Sequence, residues 1–266
     1  MRYEKILPDI IKKNGNKILM LVLDGIGGFP DPGTGRTELE TARKPHLDRL
    51  AEEGSCGTMT PVLRGITPGS GPGHIALFGY DPIDVQIGRG TLECLGIGID
   101  LGYEDIAIRG NFADIDENGI VTDRRAGRIS TEENRRIVSI ISKNIREISG
   151  VKIDVQTVKE HRCAITLKGE GLNPAVSEND PQKEGLPLKP LNALDPLSEK
   201  TASVLREFEK KVMETLKGSD SRAKGLLLRG ISKLPTIPTF SEKYKLNAVC
   251  IAAYPMYKGL SKIMGM

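Results

Sequence analysis

Cysteine and histidine are both scarce in this 266-residue chain. The four cysteines, Cys56, Cys94, Cys163 and Cys250, form no CxxC pair, which excludes a zinc knuckle or a thioredoxin-type redox motif. Each lies among apolar or small neighbours, as in AVCIAAY, so buried free thiols in a reducing cytoplasm are expected. The only histidines are His46, His74 and His161, and no Ser–His–Asp set is evident from their surroundings. Charge of one sign is also lacking: the net charge is +3, too little for a nucleic-acid binder driven by bulk charge, so any anion site must be local. No stretch approaches the roughly 18 apolar residues of a membrane span. The N-terminal MRYEKILPDIIKKNGNK has no apolar signal core. These features predict a cytoplasmic protein with no nucleic-acid or membrane partner. Hydrophobic residues at 38% and charged residues at 27% describe a globular chain long enough for one large or two ordinary domains.

Three familiar phosphate and nucleophile motifs are incomplete. Gly25-Ile26-Gly27 begins like a dinucleotide fingerprint, but the third glycine position is Pro30. Gly65 to Gly69 is not followed by the Gly-Lys-Ser/Thr of a Walker loop. Ser70 is not in a hydrolase elbow, since GxSxG requires glycine where Pro68 stands.

What is present alternates between strand-like and helix-like patterns. Lys17 to Leu23 (KILMLVL) is a continuous apolar run closed by Asp24-Gly25, the pattern of a strand buried on both faces of a parallel sheet. A carboxylate at its C-terminal end would lie where open α/β sheets bind ligands. Pro45 to Glu53 reads as a helix. Beyond Leu101, Ile106–Phe112, Gly119–Thr122, Val151–Gln156, Arg162–Lys168 and Leu226–Leu228 read as strands. Helices are expected from Ser130, with Ser130 and Glu133 as a capping box, and over Ser198 to Lys217. Ile137, Ile141, Ile145 and Ile148 recur at helical spacing, and Gly150 is expected to end that helix. A polar loop separates the two, from Gly169 to Pro196. Ala248–Ala253 is a further apolar strand candidate, and MYKGLSKIMGM is amphipathic. The pattern predicts an α/β fold in which one domain, residues 1–100 and 236–266, is interrupted by an inserted domain, residues 101–235.

Ser70 stands between glycines in PGSGPGH. Small neighbours let a phosphate approach the backbone, and a helix starting there would present free N–H groups to an anion. A solvated turn serine fits the same composition. A serine nucleophile needs activation, and metal coordination is one route, with Asp24 as a hard oxygen ligand.

The segments LVLDGIGG, KPHLDRLAEEG, GITPGSGPGHIALFGYDP, IGRGTLECLGIG, IRGNFADID, DRRAGRIS, EHRCAITLKGEGL, DPQKEG, LLLRGISKLP and AAYPMYKGLSKIMGM together resemble the archaeal-type cofactor-independent phosphoglycerate mutases of the alkaline-phosphatase superfamily, in family order along nearly the whole chain. The resemblance implies an alkaline-phosphatase-like core with an inserted α/β substrate-binding domain. It implies interconversion of 3-phosphoglycerate and 2-phosphoglycerate in glycolysis through a phosphoserine, without 2,3-bisphosphoglycerate. It makes Asp24 a metal ligand, and Ser70 both nucleophile and metal ligand, at a site for two divalent ions, Mn or Mg. Arg109, Asn111, Arg124, Arg125, Arg128 and Arg229 lie in matching motifs. They would grip a small phosphorylated hydroxy acid, since the guanidinium fork meets carboxylate or phosphate with two hydrogen bonds. DRRAGR is equally consistent with a solvated surface. Asp123 is a proton-transfer candidate or a structural partner of a neighbouring arginine. Lys258 is a phosphate contact or a snorkelling side chain. His74 would orient the nucleophile loop or simply pack.

The family's further metal ligands, an Asp–His pair, an Asp with a nearby His and a later His, have no counterpart here: the chain has no Asp-His dipeptide and no DxxxH. The expectation is therefore a C-terminally truncated core, inactive alone. Its partners would be substrate and either a C-terminal fragment or a second copy of itself. A phosphatase or other phosphotransferase on the same scaffold, and a non-catalytic half of a split enzyme, remain alternatives.

Overall fold

The computed structural model describes residues 6–266; the first five, where the expected first domain begins, lie outside the described residues. The chain divides into two compact units, Ile11–Thr60 on one side and Met1–Ile10 with Pro61–Met266 on the other.

In chain order the helices are α1 (Leu7–Ile10), α2 (Glu38–Thr41), α3 (Pro45–Glu53), α4 (Ser70–Leu77), α5 (Arg89–Gly96), α6 (Thr131–Asn144), α7 (Glu199–Leu216), α8 (Phe240–Tyr244) and α9 (Pro255–Ile263). The strands are β1 (Ile106–Ile115), β2 (Ile120–Asp123), β3 (Glu147–Ile148), β4 (Val151–Lys159), β5 (Arg162–Lys168), β6 (Leu186–Pro187) and β7 (Gly225–Ser232). Among the described residues no helix is long and apolar enough to cross a membrane.

The strands form an antiparallel sheet in the order β3-β4-β5-β1-β2-β6, and β7 also pairs with β1. β1 is its hub. It pairs with β5 from Ile106↔Leu167 to Asn111↔Arg162, and with β7 through Arg109↔Arg229 and Asn111↔Leu227. Nearly every residue of β1 is buried, because α5 covers one face while α6 and α7 cover the other. β4 lies nearer the edge and alternates buried and exposed side chains along VKIDVQ, as a strand with one solvated face should. The main core joins Ile106, Ile108 and Phe112 of β1 to Ile137 and Ile141 of α6 and to Leu205, Phe208 and Val212 of α7. A second cluster, around Ile75, Leu92, Leu260 and Met264, joins α4, α5 and α9.

Two close approaches set α5 in place. A side chain at Gly90 would run into the backbone of Ala107 and Ile108 on β1, and one at Gly259 of α9 into the carbonyl of Leu92. Glycine permits both contacts because it has no Cβ.

Several expectations need correction. Lys17 to Leu23 forms no strand, and Leu19 is 92% exposed. The unit Ile11–Thr60 contains no buried residue, so its apolar run has neither a ladder partner nor cover within that unit, and a strand needs both. Ala248–Ala253 is likewise not a strand, and Ile251 is 98% exposed. The sheet that does form is antiparallel. The Ser130 helix ends at Asn144, so Ile148 belongs to β3; Gly150, at φ +75°, turns the β3–β4 hairpin instead of closing the helix. Ser130 caps the helix by accepting from the Glu133 N–H, but the Glu133 carboxylate pairs with Arg136, 2.7 Å away, and makes no reciprocal cap. Cys94 and Cys163 are buried free thiols; Cys56 is exposed and Cys250 half-buried.

Candidate anion-binding site

The register of the sheet gathers arginines. Arg109 sits directly across from Arg229. Asn111, two residues on and therefore on the same face, is level with Arg162 on β5. The turn after β2 brings Arg124, Arg125 and Arg128 to the same place. A cavity of about 260 Å³ is lined by Arg109, Asn111, Arg124, Arg125, Arg128, Glu160, His161, Arg162 and Arg229. Six of the nine lining residues are arginines, so the cavity suits a small anion. Its volume is near the low end of ligand pockets, roughly 300 Å³.

The arginines differ in how they are held. Arg124 makes a bidentate pair with Asp180, Nε at 2.9 Å and Nη2 at 2.7 Å. Arg229 Nε lies 3.1 Å from the same carboxylate, an ion pair without hydrogen-bond alignment, and 3.7 Å from Glu178. The Asp180 side chain is fully buried. Burial opposes its charge, but the Arg124 hydrogen bonds, the Gln182 N–H and the Arg229 charge together hold its pKa below the ordinary carboxylate value. Arg109 donates to Asn111 Oδ1 at 3.2 Å, and burial lowers its pKa most. Glu93 of α5, itself buried, approaches both Arg109 (4.0 Å) and Arg162 (3.6 Å), from the helix that packs on the face of the sheet they share with Ala107. Arg162 also donates to the Tyr254 hydroxyl at 2.7 Å and stacks over that ring. Arg125 and Arg128 are exposed, and among the described residues no carboxylate pairs with either. They are the cations left for a ligand.

The turn that presents them is strained. Ala126, Gly127 and Arg128 have φ of 46°, 65° and 54°. Consecutive left-handed residues are costly for side chains with a Cβ. Asp123 offsets that cost: its oxygens accept from the N–H groups of Arg125 and Gly127, both at 2.8 Å, and Arg222 lies 3.4 Å away. Burial works against the Asp123 charge, yet the two N–H donors and Arg222 lower its pKa overall. Gly127→Ala is expected to destabilise the fold by about 1–2 kcal/mol, because it places a Cβ at positive φ and against the Arg222 guanidinium. Urea unfolding of the variant measures it; an unchanged midpoint would contradict the strain argument.

Ser70 opens α4, after Gly69, and no side chain caps this helix. Its hydroxyl-bearing residue is exposed. Within the helix His74 donates from Nδ1 to the Ser70 carbonyl at 2.8 Å, and its ring packs 4.3 Å from that of Tyr257. Tyr257 neighbours Tyr254, which carries Arg162. A chain of side-chain contacts thus ties the serine helix, through α9, to the arginine cavity. Lys258 is exposed on α9 and does not line that cavity. Asp24 belongs to the Ile11–Thr60 unit and is exposed.

A two-ion metal centre needs several converging oxygen or nitrogen donors, about six per ion for Mg or Mn. Among the described residues no three His, Cys, Asp or Glu side chains converge in that way. Asp24 and Ser70 alone do not fit such a centre, and no chemical step is assigned to a metal here.

Sequence reasoning missed Glu93, Glu160, His161, Arg162 and Asp180 as parts of this site. His161 and Arg162 stand in the EHRCAITLKGEGL segment, Asp180 in DPQKEG and Glu93 in IGRGTLECLGIG. The motifs drew attention to these segments, but side-chain pairing across the sheet is what reveals their positions.

Fold and site together define an α/β protein with an arginine-walled cavity and an uncapped serine-led helix tied to it. The chain belongs to the family of 2,3-bisphosphoglycerate-independent phosphoglycerate mutases, whose family model matches residues 51–221. A Thermus thermophilus protein named "Probable 2,3-bisphosphoglycerate-independent phosphoglycerate mutase" is 50% identical over 262 residues, covering 98% of this chain and 64% of the relative. An Aquifex aeolicus protein of the same name is 49% identical, covering 98% of this chain and 65% of its own. Among solved structures, the cofactor-independent phosphoglycerate mutase of Thermoplasma acidophilum matches with a TM-score of 0.64 at 32% identity, over 92% of this chain and 67% of that one. A Pyrococcus horikoshii protein matches with a TM-score of 0.71 at 30% identity, over 92% of this chain and 58% of that one. The chain thus spans about 64% of the length of the first of these curated relatives.

Proposed function

We propose that this chain carries the substrate-gripping part, and the phosphoryl-accepting serine, of an enzyme that interconverts 3-phosphoglycerate and 2-phosphoglycerate in glycolysis. The observation that supports this reading most is the single cavity joining Arg109, Asn111, Arg124, Arg125, Arg128 and Arg229, all singled out from motifs scattered over 120 residues of sequence. Residues 1–100 and 236–266 are taken as the phosphatase-like part and 101–235 as the inserted substrate-binding domain, in a cytoplasmic protein.

In this reading the arginines hold the carboxylate and phosphate of the hydroxy acid. Arg125 and Arg128 supply free guanidinium forks, and Arg109, Arg124 and Arg229 supply forks whose direction is fixed by Asn111 and Asp180. Ser70 Oγ takes the phosphoryl group, and its proton passes to the departing glycerate hydroxyl. The glycerate turns within the arginine cage, and the phosphoryl group returns to the other hydroxyl. Exclusion of water protects the phosphoserine. Asp123 handles a hydroxyl proton only if it releases the backbone donors it now accepts from; otherwise it positions Arg125 and Arg128. Lys258 is assigned to the phosphate from the α9 side. Asp24, with Ser70, is the chain's contribution to the divalent-metal site, Mn or Mg, of the wider family reading.

Because these donors do not complete a metal site, the isolated chain is expected to bind 3-phosphoglycerate without turning it over at an ordinary enzyme rate. Ser70 is tested by supplying in trans the segment of a relative that this chain does not span, with labelled 3-phosphoglycerate. Label should reach the wild-type chain and be absent from Ser70→Ala. Equal labelling of the alanine variant would rule out Ser70 as the acceptor. Product analysis in the same mixture separates a mutase, which yields 2-phosphoglycerate, from a phosphatase, which yields free phosphate.

A further inference from the structure

His161 sits at the tip of the β4–β5 hairpin, held there by local backbone geometry. Glu160 adopts a positive φ of 51°, and the His161 carbonyl accepts from the Phe112 N–H at 2.7 Å. The residue is 8% exposed and lines the arginine cavity. Its Nδ1 is buried without a hydrogen-bond partner among the described residues. A buried polar atom left unpaired carries a substantial penalty, which a hydrogen-bonding ligand in the cavity would relieve.

We propose that His161 is a ligand-contacting residue of this cavity, hydrogen-bonding the bound phosphorylated hydroxy acid and taking up one proton from solvent as the ligand's negative charge enters. The inference rests on the anion-pocket reading above and adds to it a group that no motif assigned.

The charges facing the ring are Glu160, whose carboxylate lies 3.9 Å from Nδ1, with Arg162 beside it on β5, Arg109 on β1, Arg125 on the turn after β2, and Asp123 at the end of β2. In the empty cavity burial, and then the Arg162 charge, push the imidazole down to about 4, with Glu160 opposing and Arg109 and Arg125 adding to the fall. The ring is therefore neutral at pH 7, a hydrogen-bonding group within a wall of fixed cations. A bound dianion reverses the local field and favours the imidazolium. The sign follows from linkage: the pKa is higher in the bound state, so binding takes up a proton and strengthens as pH falls through the bound-state value. A seventh fixed cation would attract anions equally at every pH; a histidine adds its charge only once the ligand is present.

The test is a proton NMR titration of the imidazole C–H signals, which is tractable because the chain has only three histidines. In the free chain the His161 signal should titrate near pH 4. With saturating 3-phosphoglycerate its midpoint should rise by about one unit or more. His161→Gln should weaken binding about tenfold. An unmoved His161 midpoint in a saturated complex overturns the inference while leaving the arginine pocket intact. Absence of any saturable binding by the wild-type chain overturns the pocket reading and this inference with it.

Discussion

Replacing Arg125 and Arg128 together by alanine is expected to weaken 3-phosphoglycerate binding by roughly a hundredfold or more while leaving stability almost unchanged. Each guanidinium would form charge-assisted hydrogen bonds with the ligand, worth about 1.5–3 kcal/mol apiece. Two lost together come to at least about 3 kcal/mol, or roughly a factor of a hundred. The fold should not notice, because both side chains are exposed and pair with no carboxylate among the described residues. Calorimetric titration gives the affinity and thermal melting gives the stability. A double variant that binds like the wild type would remove these two residues from the site. One that melts much earlier would mean that the side chains have a structural role the geometry does not account for.

The opposite pattern is expected of Asp180→Ala. Its carboxylate is fully buried and serves Arg124 and Arg229 at once. Removing one member of a buried charge cluster leaves its partners uncompensated, a loss of about 3–5 kcal/mol. Arg124 retains partial exposure, which favours the lower part of that range. The wild-type cluster also implies a pH dependence. The folded-state pKa of Asp180 is depressed, so its stabilising contribution is fully present above the ordinary carboxylate range. It is lost as pH falls through the lower, folded value. Urea unfolding from pH 7 downward should therefore show the wild type losing stability in acid, and the gap between it and Asp180→Ala closing. A gap that stays constant down to the most acidic condition would contradict the assigned ionisation.

These two variants separate the two jobs in the cavity. Arg125 and Arg128 are presented to solvent by a strained turn clamped by Asp123, and their work begins when a ligand arrives. Asp180 works in the empty protein, aiming Arg124 and Arg229. Glu93, on helix α5, does something similar for Arg109 and Arg162. A cavity built this way is preorganised: its cations do not have to be collected at the moment of binding.

Much of the sheet could be read directly from the sequence, and the reason is physical. β5 and the helix Pro45–Glu53 fall where their patterns ended, because turn residues and apolar spacing report local conformation. Continuous apolar runs say only that burial is wanted. In β1 that wish is met by helices on both faces; in KILMLVL and AVCIAA it is not met within their own units, and neither forms a strand. Ile148 shows a different failure. Its spacing continues the helical series of Ile137 and Ile141, but a two-residue strand buries it equally well. For the site, motif resemblance located the arginines of DRRAGR and the lone Arg109 and Arg229. It could not show that Asp180, in a loop that read only as polar, lies beneath two of them, nor that His161 lines the same cavity. Those relations depend on contacts between residues far apart in sequence, 56 positions for Arg124 and Asp180 and 47 for Gln182 and Arg229, which periodicity does not encode.

The central claim is that the cavity around Arg109, Arg124, Arg125, Arg128 and Arg229 receives a small phosphorylated hydroxy acid. Calorimetric titration of the 266-residue chain with 3-phosphoglycerate, at low and at physiological ionic strength, tests it directly. The account predicts one saturable site per chain, weaker at the higher salt, with glycerol giving no heat. No saturable binding of 3-phosphoglycerate, or binding that persists in the Arg125→Ala/Arg128→Ala double variant with equal affinity, would contradict it.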